Sequence, residues 1–303
     1  IATKGLDRDY ITNWSYGIGE SFSFLIPNAK GGATGVLGQD PDALKSVDRA
    51  MQSTIAQSNK YWGNQPFTSG PVYMGAIVIL CFLLGAFFVH SPLKWALLAT
   101  ALLTMALGWG KNFMGLTDFF LDYLPGYDKF RAVTIILAVT ELVVPILAFL
   151  FLKKVFENPE VLAEHKKKFF AVAGGLAALL GLFFITPETF FDFLSSQEKD
   201  LLNNEMEGDR AADFLLYGES LISVRTEIFR ADVLRSFLFV AAGAASLWLL
   251  AVRKLKPNAV LAGLALLVLI DMWGVNKRYL NNEKDRGRYV SWEPASENKT
   301  THT

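Results

Sequence analysis

Residues 131–154 read RAVTIILAVTELVVPILAFLFLKK. Between Arg131 and Lys153 the only ionisable side chain is Glu141. An α-helix crosses the roughly 30 Å hydrocarbon core of a bilayer with about 20 predominantly apolar residues, so this stretch predicts a membrane span. Comparable runs lie on both sides of it, and the same reading places spans at 72–89, 93–109, 132–152, 169–186, 233–252 and 257–275. The expected fold is therefore all-α: a polytopic transmembrane bundle with amphipathic interfacial helices in its outward-facing loops.

Around the six spans the organisation reads as an outward-facing region over 1–70, linkers at 110–131 and 187–232, and the start of another outward-facing region over 276–303. The polar stretch 39–60 fits a helix or a flexible loop. In NFMGLTDFFLDYL (112–124), Gly115, Asp118 and Asp122 share one helical face opposite phenylalanines and leucines, the pattern of a helix lying along a membrane surface. TFFDFL and DFLLYG within 187–232, and TEIFRADVL (226–234) at its end, read as short helices packed on the same surface. The first residue, Ile1, and the final SENKTTHT give the expectation of a piece of a longer protein.

Lysine and arginine set the expected orientation, because cytoplasmic loops carry an excess of them. Lys153, Lys154 and Lys166–Lys168 follow span three, and Arg253, Lys254 and Lys256 follow span five. These links belong inside and both ends of the chain outside, across a bacterial cytoplasmic membrane. Lys277, Arg278, Lys284, Arg286 and Arg288 after span six argue the opposite way. The formal net charge is zero, which gives no nucleic-acid signal, and the single cysteine, Cys81, excludes a disulfide framework.

Few residues stand out for chemistry. Glu141 reads either as a proton relay, ion-coupling group or substrate contact, or as a protonated glutamate hydrogen-bonded inside the bundle. Pro145, four residues on, removes the backbone bond to its carbonyl and predicts a kink. Both readings of Glu141 place it facing the bundle interior. Arg131 and Lys129 stand where span three emerges, and suit either phosphate oxygens or an anchor to lipid head groups and Asp128. Asp271, near the end of span six, reads as a bundle ion-pair partner or as a carboxylate reaching water. His90 and His165 lack the spacing of a metal site. KGGATG (30–35) is not a phosphate loop, since no strand leads into it and no helix follows.

Three segments, WSYGIGESFSFLIPNAKGG (14–32), YWGNQPFTSGPVYMGAI (61–77) and YLPGYDKFRAVT (123–134), together with DMWGVNKRYLN (271–281), resemble the YfhO family of bacterial multi-span membrane proteins. That family is grouped with the C-type glycosyltransferases. The resemblance implies transfer of a sugar from a polyprenyl-phosphate donor to an envelope glycan, lipid or protein acceptor on the outer side of the membrane. It implies a catalytic carboxylate in a loop upstream of Ile1, and donor-phosphate recognition by Arg131 with Lys129 and Lys111 as helpers. A divalent metal cofactor is compatible with such chemistry, but the chain carries no metal motif. Two further function classes stand beside this one. A transporter or flippase of lipid-linked sugars would be built on Glu141 and the Pro145 kink. An envelope-assembly scaffold would act through the outer helices.

Overall fold

The computed structural model describes residues 6–129, 132–205 and 211–280. Its α-helices are α1 (Arg8–Thr12), α2 (Arg49–Gln57), α3 (Ala76–Phe88), α4 (Pro92–Gly108), α5 (Met114–Tyr123), α6 (Leu137–Glu157), α7 (Glu160–Glu164), α8 (Lys166–Ile185), α9 (Pro187–Phe190), α10 (Ser196–Glu205), α11 (Ala211–Ala251) and α12 (Pro257–Asn276). Among the described residues there is no strand beyond one isolated bridge, Val36 to Asn59. The fold is all-helical.

Four helical runs are long and apolar enough to cross a membrane: Val133–Glu157, Lys166–Ile185, Ala211–Ala251 and Pro257–Asn276. The pair Pro92–Gly108 and Gly110–Tyr123 would make a fifth, broken span, bent by 114°. The expected first span over 72–89 is cut back to α3, which has 13 residues and so extends about 20 Å. The shortening has a local cause. Gly75 stands at φ 99°, outside helical space, and the first helical N–H, that of Ala76, is held by the carboxylate of Asp271 at 3.0 Å. The extended backbone before it is not abandoned, since Met74 N–H donates to the Phe24 carbonyl.

α3 is the central element and packs on α6, α8, α11 and α12. Two glycines set its closest approaches. A Cβ at Gly85 would lie 2.9 Å from the Leu147 carbonyl oxygen of α6, and one at Gly243 of α11 would press on Ile77 and Leu80. Small residues at such crossings let helices approach where no hydrophobic force drives them together. α4 and α6 are joined by a buried hydroxyl pair, Thr104 to Thr140 at 2.7 Å. Leu137, Thr140, Val143, Val144, Leu147, Ala148, Phe151 and Val155 form the buried stripe of α6, which continues through Pro145 as one helix.

Over one end of the bundle lies a cap built from residues 6–74, the 109–129 segment and the chain leading into α11. The linker 187–232 departs from its expected form. DFLLYG and TEIFRADVL are not separate short helices; they belong to α11, a single helix of 41 residues that runs on into the fifth apolar segment. No proline interrupts it, and Arg225, Asp232 and Arg235 along it find carboxylate or guanidinium partners. Leu221, Val224 and Ile228 of α11 close a small second core with Leu37, Val47 and Ile55. The polar stretch 39–60 supplies that core through short 3₁₀ turns and α2. α5 turns away from α4 and is tied to α1 by Arg8, which binds both Asp118 and Asp122.

Candidate functional site

A cleft of about 970 Å³ opens in the cap. Three separated segments wall it: residues 28–69 of the cap, one face of α11 from Glu227 to Asp232, and the end of α12 from Gly274 to Tyr279. Its floor is an ion pair. Arg278 donates from Nη1 to Asp232 Oδ2 at 2.7 Å and from Nη2 to Oδ1 at 2.6 Å. The backbone N–H of Asn28 donates to the same Oδ2 at 2.9 Å. Burial alone would lower the Arg278 pKa, but the hydrogen bonds and charge of Asp232 outweigh it and raise it instead. The guanidinium is therefore fixed as a cation.

Tyr279 stands next to this pair with its phenol 3.4 Å from Asn28 Oδ1, and burial pushes its pKa up. The KGGATG turn makes room for it. Gly32 lies at φ +74°, and a Cβ there would come within 2.2 Å of the Tyr279 hydroxyl. Gly31, at φ +87°, turns the chain against the Lys60 carbonyl and Trp62. Left-handed backbone of this kind is open to glycine at little cost. On the facing wall Lys60 pairs with Asp40. Nearer the mouth Lys45 binds Asp42 at 2.6 Å, and Arg230 draws Glu227 at 3.2 Å. The lining thus mixes amides, hydroxyls, carboxylates and amines, with its innermost charges already neutralised in pairs.

Four further polar nodes tie separate segments together. Arg225, fully buried on α11, donates to both Glu198 oxygens at 2.7 Å, to the Phe193 carbonyl at 2.8 Å and to the Asn59 carbonyl at 2.7 Å, and lies 5.2 Å over the Trp62 ring. Glu20 is also buried. It accepts from Gly17 N–H at 2.6 Å, Asn64 N–H at 3.1 Å and the Tyr61 hydroxyl at 2.5 Å. Lys30 donates to the Asp192 carbonyl at 2.6 Å, and burial lowers its pKa. The fourth node is Asp271. It accepts from Tyr73 at 2.7 Å and pairs with Arg235 at 2.7 Å, besides capping α3.

The cleft does not include Lys111, Lys129, Glu141 or Asp271. Lys111 and Lys129 are exposed on the cap, the first reaching the Asn64 carbonyl at 3.5 Å and the second pairing with Asp128 at 3.1 Å. Arg131 lies outside the described residues. Asp271 does not reach water: it is fully buried against Arg235. Glu141 is exposed, not turned into the bundle, because it falls on the flank of α6 beside the buried stripe rather than within it. Of the charges after the sixth apolar segment, Arg278 pairs with Asp232 and Lys277 lies 5.3 Å over the Trp273 ring, while Lys284, Arg286 and Arg288 lie outside the described residues. Among the described residues no three His, Cys, Asp or Glu side chains are grouped to hold a metal.

Sequence reasoning missed Glu20, Arg225, Asp232 and Arg278 as structural charges. The one available signal was GIGESF, where an acid sits inside an otherwise apolar and small-residue run. No protein-family profile, curated protein or solved structure matches the chain. The architecture defines the class: a helical protein with at least four membrane-competent helices, consistent with a multi-pass membrane protein.

Proposed function

We propose that this chain is a C-type glycosyltransferase of the YfhO type, and that the cleft receives the sugar of a polyprenyl-phosphate donor or its acceptor. The observation that carries the reading is the cleft itself. It lies near the upper end of the ~300–1,000 Å³ range of small-molecule sites and is walled by α12 where that apolar helix ends. Its neutralised floor suits a polyol better than a bare phosphate, since Arg278 and Lys60 are each opposed by a carboxylate. Asn28, Thr34 and Ser69 offer hydroxyl-matching groups, and Glu227 at the mouth is a carboxylate of the kind that takes a proton from an acceptor hydroxyl.

In this reading the cap faces the outer side, and α5, leaving α4 at 114° with Phe119 and Tyr123 exposed, lies along the membrane surface. Lys111 and Lys129, exposed and apart from the cleft, then serve the donor phosphate together with Arg131. The exposed position of Glu141 supports the transferase over a transporter built on that residue.

The test uses membranes containing the full protein, supplied with radiolabelled polyprenyl-phosphate sugar. Label transferred by the wild type, and lost in Glu227→Gln and in Arg131→Ala, supports the transferase. Transfer that persists in Glu227→Gln and Asn28→Ala removes the cleft from the reaction. Label that crosses the bilayer without transfer indicates a transporter, and no handling of any donor leaves the scaffold.

A further inference from the structure

The end of the bundle remote from the cap gathers cations where the helices least favour them. Lys166, Lys167 and Lys168 form the first turn of α8, and Lys254 and Lys256 lie in the turn that opens α12. A helix N-terminus carries a partial positive charge, so a lysine there is disfavoured. These positions therefore do not serve helix stability. All five side chains are exposed, and none pairs with a carboxylate among the described residues. The local acids are Glu157, Glu160 and Glu164, and Arg253 already occupies Glu160.

The elements meet in space. Lys154 of α6 donates to the Phe88 carbonyl at the end of α3 and lies 3.0 Å from His90, while Lys168 stands 5.7 Å over the Phe88 ring. The Phe88 and His165 rings are 6.4 Å apart, and Arg253 ties the α11–α12 turn to α7. The lysines thus gather at one end of the bundle, where the apolar helices α8 and α12 begin.

We propose that this end of the bundle binds anionic phospholipid head groups, with Lys166, Lys167, Lys168, Lys254 and Lys256 as the cationic contacts. Charge complementarity selects the occupant. This end carries a large excess of positive charge, its lysines lie at head-group depth beside apolar helix walls, and juxtamembrane lysines attract anionic lipid at about 1 kcal/mol each, or about fivefold in affinity. The inference rests on none of the reasoning about the cleft.

The test places the full chain in nanodiscs of equimolar phosphatidylcholine and phosphatidylglycerol, and measures the lipids retained on the protein by native mass spectrometry. Retained phosphatidylglycerol should exceed its bulk share and fall toward it when all five lysines are changed to glutamine. The corresponding five Lys→Arg changes should retain the enrichment, which separates charge from folding. Equal retention of the two lipids by the wild type would overturn the proposal, as would enrichment unchanged in the glutamine variant. Displacement of the bound lipid by millimolar inorganic phosphate would show a soluble-anion site instead, and would also overturn it.

Discussion

Replacing Arg225 by methionine tests how the cap is held on α11. The guanidinium is fully buried, binds both oxygens of Glu198 and caps two carbonyls from separate segments, those of Asn59 and Phe193. Methionine fills similar volume but leaves Glu198 with its cation gone and two carbonyls unpaired. Removing one member of a buried pair costs about 3–5 kcal/mol. The side chain of Glu198 retains 17% exposure, so the lower end applies. A loss of about 3 kcal/mol corresponds to roughly a hundredfold rise in local opening. Hydrogen exchange reads this directly. Amides of Phe193–Ser195 and α10 should exchange about a hundredfold faster, while α3 and α6 keep their protection.

Acidification offers a second reading of the same pair. Burial raises the Glu198 pKa, but the bonds and charge of Arg225, with Ser195, outweigh it and leave it below the ordinary value. A depressed folded-state pKa gives stability that is present above the unfolded value, near 4.3, and is lost as pH falls through the folded one. Wild-type α10 should therefore lose protection below about pH 4, and Arg225→Met should show little of that dependence. Unchanged protection in the variant, or the same acid response in both proteins, would refute the account of this node.

Other perturbations probe the remaining links. Asp271→Ala removes the α3 cap and strands Arg235; a loss of about 3–5 kcal/mol is expected, visible as a lower thermal midpoint in detergent. Gly85→Val forces side-chain atoms against the Leu147 carbonyl and should cost about 1–3 kcal/mol; an unchanged midpoint would mean that α3 and α6 are not in contact there. Glu141→Leu removes a carboxylate from an exposed flank and should raise stability in a bilayer by up to about 2.5–3.5 kcal/mol without abolishing donor transfer. Loss of transfer would restore Glu141 to the functional list.

The long apolar runs were legible because nothing but composition is needed to see them. Lys166–Ile185 and Pro257–Asn276 fall within a few residues of their expected bounds. The first span was misjudged because Asp271, almost two hundred residues away, decides where α3 begins. The continuity of α11 was hidden for a related reason. Arg225, Glu227, Arg230 and Asp232 look like surface charges of separate loop helices, but Arg225 and Asp232 are buried among partners from residues 28, 59, 193, 198 and 278. Periodicity in one segment carries no trace of such partners. The cleft was invisible for the same reason, since its walls come from segments far apart in sequence. Glu141 was misplaced because hydropathy gives depth along a helix but not azimuth around it.

The unbroken course of α11 has a mechanical consequence. At 1.5 Å per residue its 41 residues make a rod about 60 Å long, with one half in the cap and the other among the apolar helices. The cleft touches it between Glu227 and Asp232, close to the midpoint. A load applied there acts on a lever at its fulcrum. Cap and membrane halves would tilt together in opposite senses, with no joint to absorb the motion. Spin labels at Ala212 and Ala251 should keep a constant separation whatever occupies the cleft, while the distance from either label to α4 changes.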